Sequence, residues 1–277
     1  MFSNNPFTGL AYSIPTEVIQ IVIVLMIVSV IAGTLFDVIH KKSAKYFFEN
    51  WRKSNTNATK DVGGGEVAKL AIETLVVDVA TSSELGLCGT DRRIAHLLTM
   101  WGFVVHVSAT IAMAIVGSES TIWPMLWHLG ALSVCVGGYW FWFFIRVDVS
   151  AEGNSPFRLI RADLFVLSLV GTTTFALLWS LTQGGVTGWV FFGLYLLSAI
   201  ALFGGVPWSK FSHMFFKPAA ALQKKISKAD GSQENMPDVG EMNDPAIQAK
   251  FPDLPMYLGK NPPNFGLGIK REKPRHY

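Results

Sequence analysis

The 277-residue chain is 50% apolar by the AVILMFWYC count and only 16% charged, with a mean hydropathy of +0.35, whereas a soluble domain carries roughly a quarter of its residues charged. This balance excludes an ordinary soluble enzyme and points to a membrane protein with polar ends. Two cysteines, Cys88 and Cys135, exclude a disulfide framework, a paired-cysteine zinc site and a cysteine-ligated iron–sulfur cluster within this chain.

Five stretches are long and apolar enough to cross a hydrocarbon core, which takes roughly 20 helical residues. They lie near 15–39, 94–117, 121–145, 162–182 and 186–208, and they predict an all-α membrane protein with five transmembrane helices. The first has no Lys or Arg before it and is too long for the apolar region of a signal peptide, so it is expected to stay in the mature protein. Between the first two spans lies a loop, 40–93. It opens with the basic aromatic run His40-Lys41-Lys42-Ser43-Ala44-Lys45-Tyr46-Phe47-Phe48 and continues through a Ser/Asn/Thr/Gly-rich stretch, 54–65. Over 66–82, Val67, Leu70, Ala71, Leu75 and Val79 recur at helical spacing. This predicts a helix lying on the membrane surface, on a partner, or on the ends of the spans.

All 23 Lys and Arg fall in 40–93, 146–161 and 209–277. Basic residues accumulate on the cytoplasmic side, so the N-terminus is expected outside and the C-terminus in the cytoplasm, in a multi-pass protein of the bacterial inner membrane. This asymmetry explains the net charge of +3, and nucleic acid is not implied as a partner. Arg146, Arg158 and Arg161 at the inner ends of spans three and four read mainly as topology anchors, or as partners for the propionates of a haem if one is held there. The five-helix unit is placed at 1–217. The tail, 218–277, has no sustained apolar period and is expected to be extended and to order against a partner.

The chemistry is expected from the histidines, because an intramembrane histidine is costly without a role in proton relay or metal ligation. His96 and His106 are ten residues apart on span two, about 15 Å along the axis and within about 80° on the helix wheel. That spacing suits one axial ligand to each of two stacked b haems, with Gly102 between them allowing a macrocycle to approach. His213, at the inner end of span five, matches the depth of His96, and His40 competes for the same role. His128 on span three is nearest in depth to His106.

With these histidines and the stretch Pro207-Trp208-Ser209-Lys210 leading to His213, the chain resembles the membrane cytochrome b subunits of respiratory nitrate reductase (gamma) and heterodisulfide reductase type. The specific part of the resemblance is confined to spans two and five. The segments Ala71–Val79, Asp91–Leu98 and Trp101-Gly102-Phe103, with the overall layout, are similar to the sulfur-metabolism branch, and most to the membrane anchors of adenylylsulfate reductase in sulfur-oxidising bacteria. The resemblance implies a haem b held by His96 and His213 on the cytoplasmic side. His106 matches the ligand of a second, outer haem whose usual partner position is Tyr195 here. Either that haem is absent or His128 supplies its ligand, leaving one or two haems b.

The expected function is a membrane anchor and electron-transfer subunit between a soluble cytoplasmic flavin/iron–sulfur oxidoreductase and the membrane quinone. The soluble partner would dock on loop 40–93 and tail 218–277, with membrane lipid around the spans, and His40, Asp37, His106 and Tyr195 are the candidate proton donors at a quinone. Asp37 also reads as a surface carboxylate beside Lys41. Two other readings stand: a haem-free scaffold for a soluble complex, and a transporter with a histidine relay, which the odd span number and the absence of repeats disfavour.

Overall fold

A computed structural model describes residues 2–40, 43–83, 85, 90–146, 155, 157–208, 213–232 and 244–258. The protein is about 79% helical with no strand among the described residues, and five helices are long and apolar enough to cross a membrane. They are α1 (Thr16–His40), α4 (Thr90–Ala114), α5 (Ile122–Trp140, extended to Ile145 by a wide π turn), α6 (Leu164–Leu181) and α7 (Val186–Gly204). At the basic end of this bundle lie α2 (Ser43–Asn55), α3 (Gly64–Glu73, continued by a π-helical stretch Thr74–Val79) and α8 (His213–Ala229). Short helices α9 (Pro245–Lys250) and α10 (Asp253–Leu258) follow.

Helix α1 is rich in Ile and Val, which favour strands in water. In a bilayer the backbone must satisfy its own hydrogen bonds, so the same sequence is helical. It meets the bundle through one stripe including Ile19, Ile23, Val30 and Gly33, while Ile21, Val24, Leu25, Val28, Ile31 and Leu35 point outward.

The tightest pair is α4 with α5, followed by α6 with α7. Gly102 and Gly130 make the first pair possible. A Cβ on Gly102 would lie 2.8 Å from the Gly130 carbonyl oxygen, and one on Gly130 would lie 2.7 Å from the Gly102 carbonyl oxygen and 2.7 Å from the His106 nitrogen. Small residues of this kind let membrane helices touch backbone to backbone. The space beside Gly102, expected from the sequence to admit a macrocycle, is therefore filled by α5.

Two apolar clusters fill the bundle. One lies toward the N-terminal end and contains Phe7, Leu10, Ala109, Met113, Trp127, Trp179, Phe192 and Tyr195. The other, toward the basic end, contains Val134, Leu169, Leu202 and Val206. Arg146 closes α5 with a buried ion pair to Asp163, donates to the Arg158 carbonyl at 2.6 Å, and lies 3.8 Å above the Trp142 ring. It is an internal lock and not an exposed anchor.

The expected boundary at 217/218 falls inside α8, so an extended tail from Pro218 is corrected over its first twelve residues. Pro218 removes one helical hydrogen bond, but the following Ala219-Ala220-Ala221-Leu222-Gln223-Lys224-Lys225 is made of strong helix formers, and α8 has partners to pack against. Ser232 Oγ lies 2.7 Å from Ser54 Oγ, Asp230 accepts from the Thr59 and Lys60 amides, and Lys225 reaches Glu73 at 2.9 Å and Asp78 at 2.8 Å. Residues 259–277 of the tail lie outside the described residues.

Candidate functional site: histidines around Trp127

His96 and His106 are ten positions apart on α4, and the two have different surroundings. His96 lies toward the basic end with an exposed ring, its Nδ1 3.0 Å from Ser82 Oγ. His106 is buried in the bundle, 3% exposed. Its Nδ1 stands 3.0 Å from the Trp127 carbonyl oxygen. A carbonyl only accepts, so Nδ1 carries the proton and Nε2 carries the lone pair. Nε2 is buried without a hydrogen-bond partner.

His128, on α5, packs on the same tryptophan, edge-on where the His106 ring is tilted. The Trp127 indole lies 4.8 Å from the His106 ring and 5.0 Å from the His128 ring, centroid to centroid. Both nitrogens of His128 are engaged, Nδ1 with the Pro124 carbonyl at 2.6 Å and Nε2 with Ser180 Oγ at 2.7 Å. By the same argument Nδ1 donates and Nε2 accepts from the Ser180 hydroxyl. Phe2 closes over the ring edge-on at 5.1 Å.

Tyr195 joins this cluster from α7. Its ring stacks on Trp179 at 5.7 Å, and its hydroxyl meets Thr110. Thr110 donates to the His106 carbonyl at 2.8 Å and accepts from the Trp127 indole at 3.0 Å. Three of the expected residues, His106, His128 and Tyr195, are thus gathered around Trp127 and Trp179. The other candidates sit at the basic end: Asp37 is buried at 4% exposure and is not a surface carboxylate, while His40 is exposed and stacks on Phe36 at 5.1 Å. His213 opens α8, and its side chain, with residues 209–212, lies outside the described residues.

The donor set fits an iron ligand at one position. His106 has the arrangement that a ligating histidine needs: one nitrogen held by a carbonyl and the other buried without a hydrogen-bond partner. His128 fits only if Ser180 surrenders its hydrogen bond to Nε2. Thr110, Trp179 and Ser180 are not among the residues to which the sequence points, and Trp127 reads there only as one of the tryptophans near the span ends suited to an interfacial aromatic belt, a reading that its full burial corrects. Thr110, one turn beyond His106 on the same face, was the only one with a local signal.

Compared with family models, curated proteins and solved structures, the chain matches none.

Proposed function

We propose that this multi-pass membrane protein, with its N-terminus outside the bacterial inner membrane, anchors a soluble cytoplasmic flavin/iron–sulfur oxidoreductase and passes electrons between it and the membrane quinone pool through haem b. Adenylylsulfate reductase is the partner that the narrower resemblance implies. The observation that carries this reading is the buried, unpartnered Nε2 of His106 with its Nδ1 proton fixed by Trp127, because such a group inside a membrane bundle marks a functional site. Haem b supplies a one-electron carrier. The chain's contribution is to hold its iron through His106, to fix the histidine tautomer through the Trp127 carbonyl, and to keep water out with Trp127, Trp179 and Phe192. The resemblance implies His96 and His213 as the ligand pair of the haem nearer the cytoplasm, with His106 serving the outer one. Quinone chemistry needs proton donors, and the candidates fall at two places: Tyr195 beside His106, and Asp37 and His40 at the basic end.

A second reading, a haem-free anchor, is favoured by the two engaged nitrogens of His128 and by the filled space beside Gly102. A reduced-minus-oxidised spectrum of the full-length protein, purified from its own membranes with a haem count, separates the two. The electron-transfer reading requires b-type absorbance that falls by one equivalent in His106→Ala. No b-type absorbance in the wild type overturns it and leaves the anchor. Truncation after Ser232, beyond the packed part of α8, tests the tail: retention of the soluble partner by the truncated protein would remove the tail from the docking surface.

A further inference from the structure

The expected apolar stripe on α3 was Val67, Leu70, Ala71, Leu75 and Val79, and four of these five face the protein. Thr74, one turn beyond Leu70 and two beyond Val67, takes the inward position and is buried, and Leu75 at the edge of that face turns out. The inward side of α3 is fully used: Thr74 is 2% exposed, and Glu73 and Asp78 are held by Lys225 of α8. The outward side carries Ile72, Leu75, Val76 and Val77, exposed at 64%, 57%, 58% and 43%. Four exposed aliphatics close together on a helix whose Thr74 and Asp78 are held against the protein form an apolar patch that calls for a partner, and Lys69, exposed on the same face, lies at its edge.

The end of this helix is fastened to a membrane span. The Trp101 indole donates to the Ala80 carbonyl at 2.9 Å, Arg93 Nε donates to the Thr81 carbonyl at 2.9 Å, and Ser82 meets His96 at 3.0 Å. Residues 80–82 therefore lie along the first three turns of α4, one of the five helices apolar enough to span the membrane. Ile94, Trp101 and Val104 on α4 are themselves outward-facing apolar residues. The exposed side of α3 thus continues an apolar surface that the bilayer covers on α4.

We infer that α3 is an interfacial helix: its Ile72, Leu75, Val76 and Val77 side insert into the headgroup and acyl boundary of the same leaflet that receives the basic end of α4. The occupant is lipid and not protein, because the patch runs into the lipid-facing side of α4 and is anchored at its depth by the Trp101–Ala80 hydrogen bond. Membrane-surface helices are held in this way by an apolar side a few ångström deep in the boundary region. The assignment does not depend on haem chemistry.

The test uses full-length protein in phosphatidylcholine vesicles, on a Cys88→Ser, Cys135→Ser background. A bimane label is attached at Val76→Cys, at Ile72→Cys and, as the water-exposed comparison, at Glu66→Cys. The labels at 72 and 76 should be quenched several-fold more than that at 66 when the vesicles contain brominated phosphatidylcholine, and several-fold less by iodide. Iodide quenching at 72 and 76 equal to that at 66 overturns the inference by placing the side in water. Protection from both quenchers also overturns it, because the side is then covered by protein. Two independently labelled positions keep one badly folded variant from deciding the result.

Discussion

The Nδ1 of His106 lies 3.0 Å from the carbonyl oxygen of Trp127, and this one bond fixes the chemistry of the other ring nitrogen. It makes Nε2 a base with a lone pair, buried among apolar neighbours and without a proton donor. His106→Phe removes that lone pair and the Nδ1 bond, the latter worth about 1 kcal/mol. On the electron-transfer reading proposed above, the expected outcome is the loss of one haem b equivalent, with only a few degrees lost from the thermal midpoint in detergent. An unchanged haem-to-protein ratio would show that Nε2 is not a ligand.

The α4–α5 contact should be intolerant of even a methyl group. A Cβ on Gly130 faces the Gly102 carbonyl and the His106 backbone, neither of which is the mobile end of a side chain. Gly130→Ala is expected to destabilise by about 1–3 kcal/mol, as overpacked cores do. Gly193→Ala on α7, whose Cβ would meet nothing within 4 Å, should be neutral or stabilising by up to about 1 kcal/mol from helix propensity. Thermal midpoints of the two variants in the same detergent check the difference. Equal midpoints would mean that the helices are not in backbone contact.

Asp163 and Arg146 form the buried ion pair that joins the end of α5 to the start of α6. Asp163 also accepts from the Ile160 amide at 2.8 Å, so removing its charge leaves both a buried guanidinium and an amide poorly served. Asp163→Asn is expected to cost about 3–5 kcal/mol, while the double replacement Arg146→Met with Asp163→Leu should cost less, because it strands no charge. Denaturation midpoints of single and double variants decide it. A double variant worse than the single one would place the stabilisation in the pair's attraction and not in the avoided stranding.

What could be read in advance followed from signals that are local in sequence. Apolar runs of span length gave all five membrane helices, and Lys and Arg placement separated the basic end from the other. Helix rise alone made His128 the nearest in depth to His106 without bringing the two level, and both rings pack on Trp127. Rotation was not legible. The inward position on α3 belongs to Thr74, seven residues after Val67, and Leu75 beside it faces out; a polar residue on the inward face is invisible to a hydrophobic period. Gly102 had two physical uses, admitting a cofactor or a neighbouring backbone, and only the position of Gly130 selects between them. Pro218 read as a helix stop because Ser54, Thr59 and Glu73, which hold α8 in place, are more than 140 residues away in sequence.

The clasp between α3 and α8 should depend on pH with a definite sign. Burial alone raises the Asp78 pKa, but the hydrogen bond from Lys225, the Ser83 hydroxyl at 2.8 Å and the positive charge of Lys224 bring it below its ordinary 3.8. Hydrogen bonding to Asp78, which outweighs burial, raises Lys225 above its ordinary 10.5. A lowered carboxyl contributes stability that is present above 3.8 and lost as the pH falls through its folded value. A raised ammonium contributes stability that is complete below 10.5 and lost as the pH rises through its folded value. The clasp is therefore closed across neutral pH and loosens first on acidification below about pH 4. Amide hydrogen exchange over residues 64–79 should accelerate there after correction for the intrinsic rate. In Lys225→Met the same amides should exchange a few-fold faster at neutral pH, since partly exposed pairs are worth about 0.2–1 kcal/mol, and the acid-dependent step should shrink. An undiminished step in the variant would assign it to other carboxylates and remove Lys225 from the clasp.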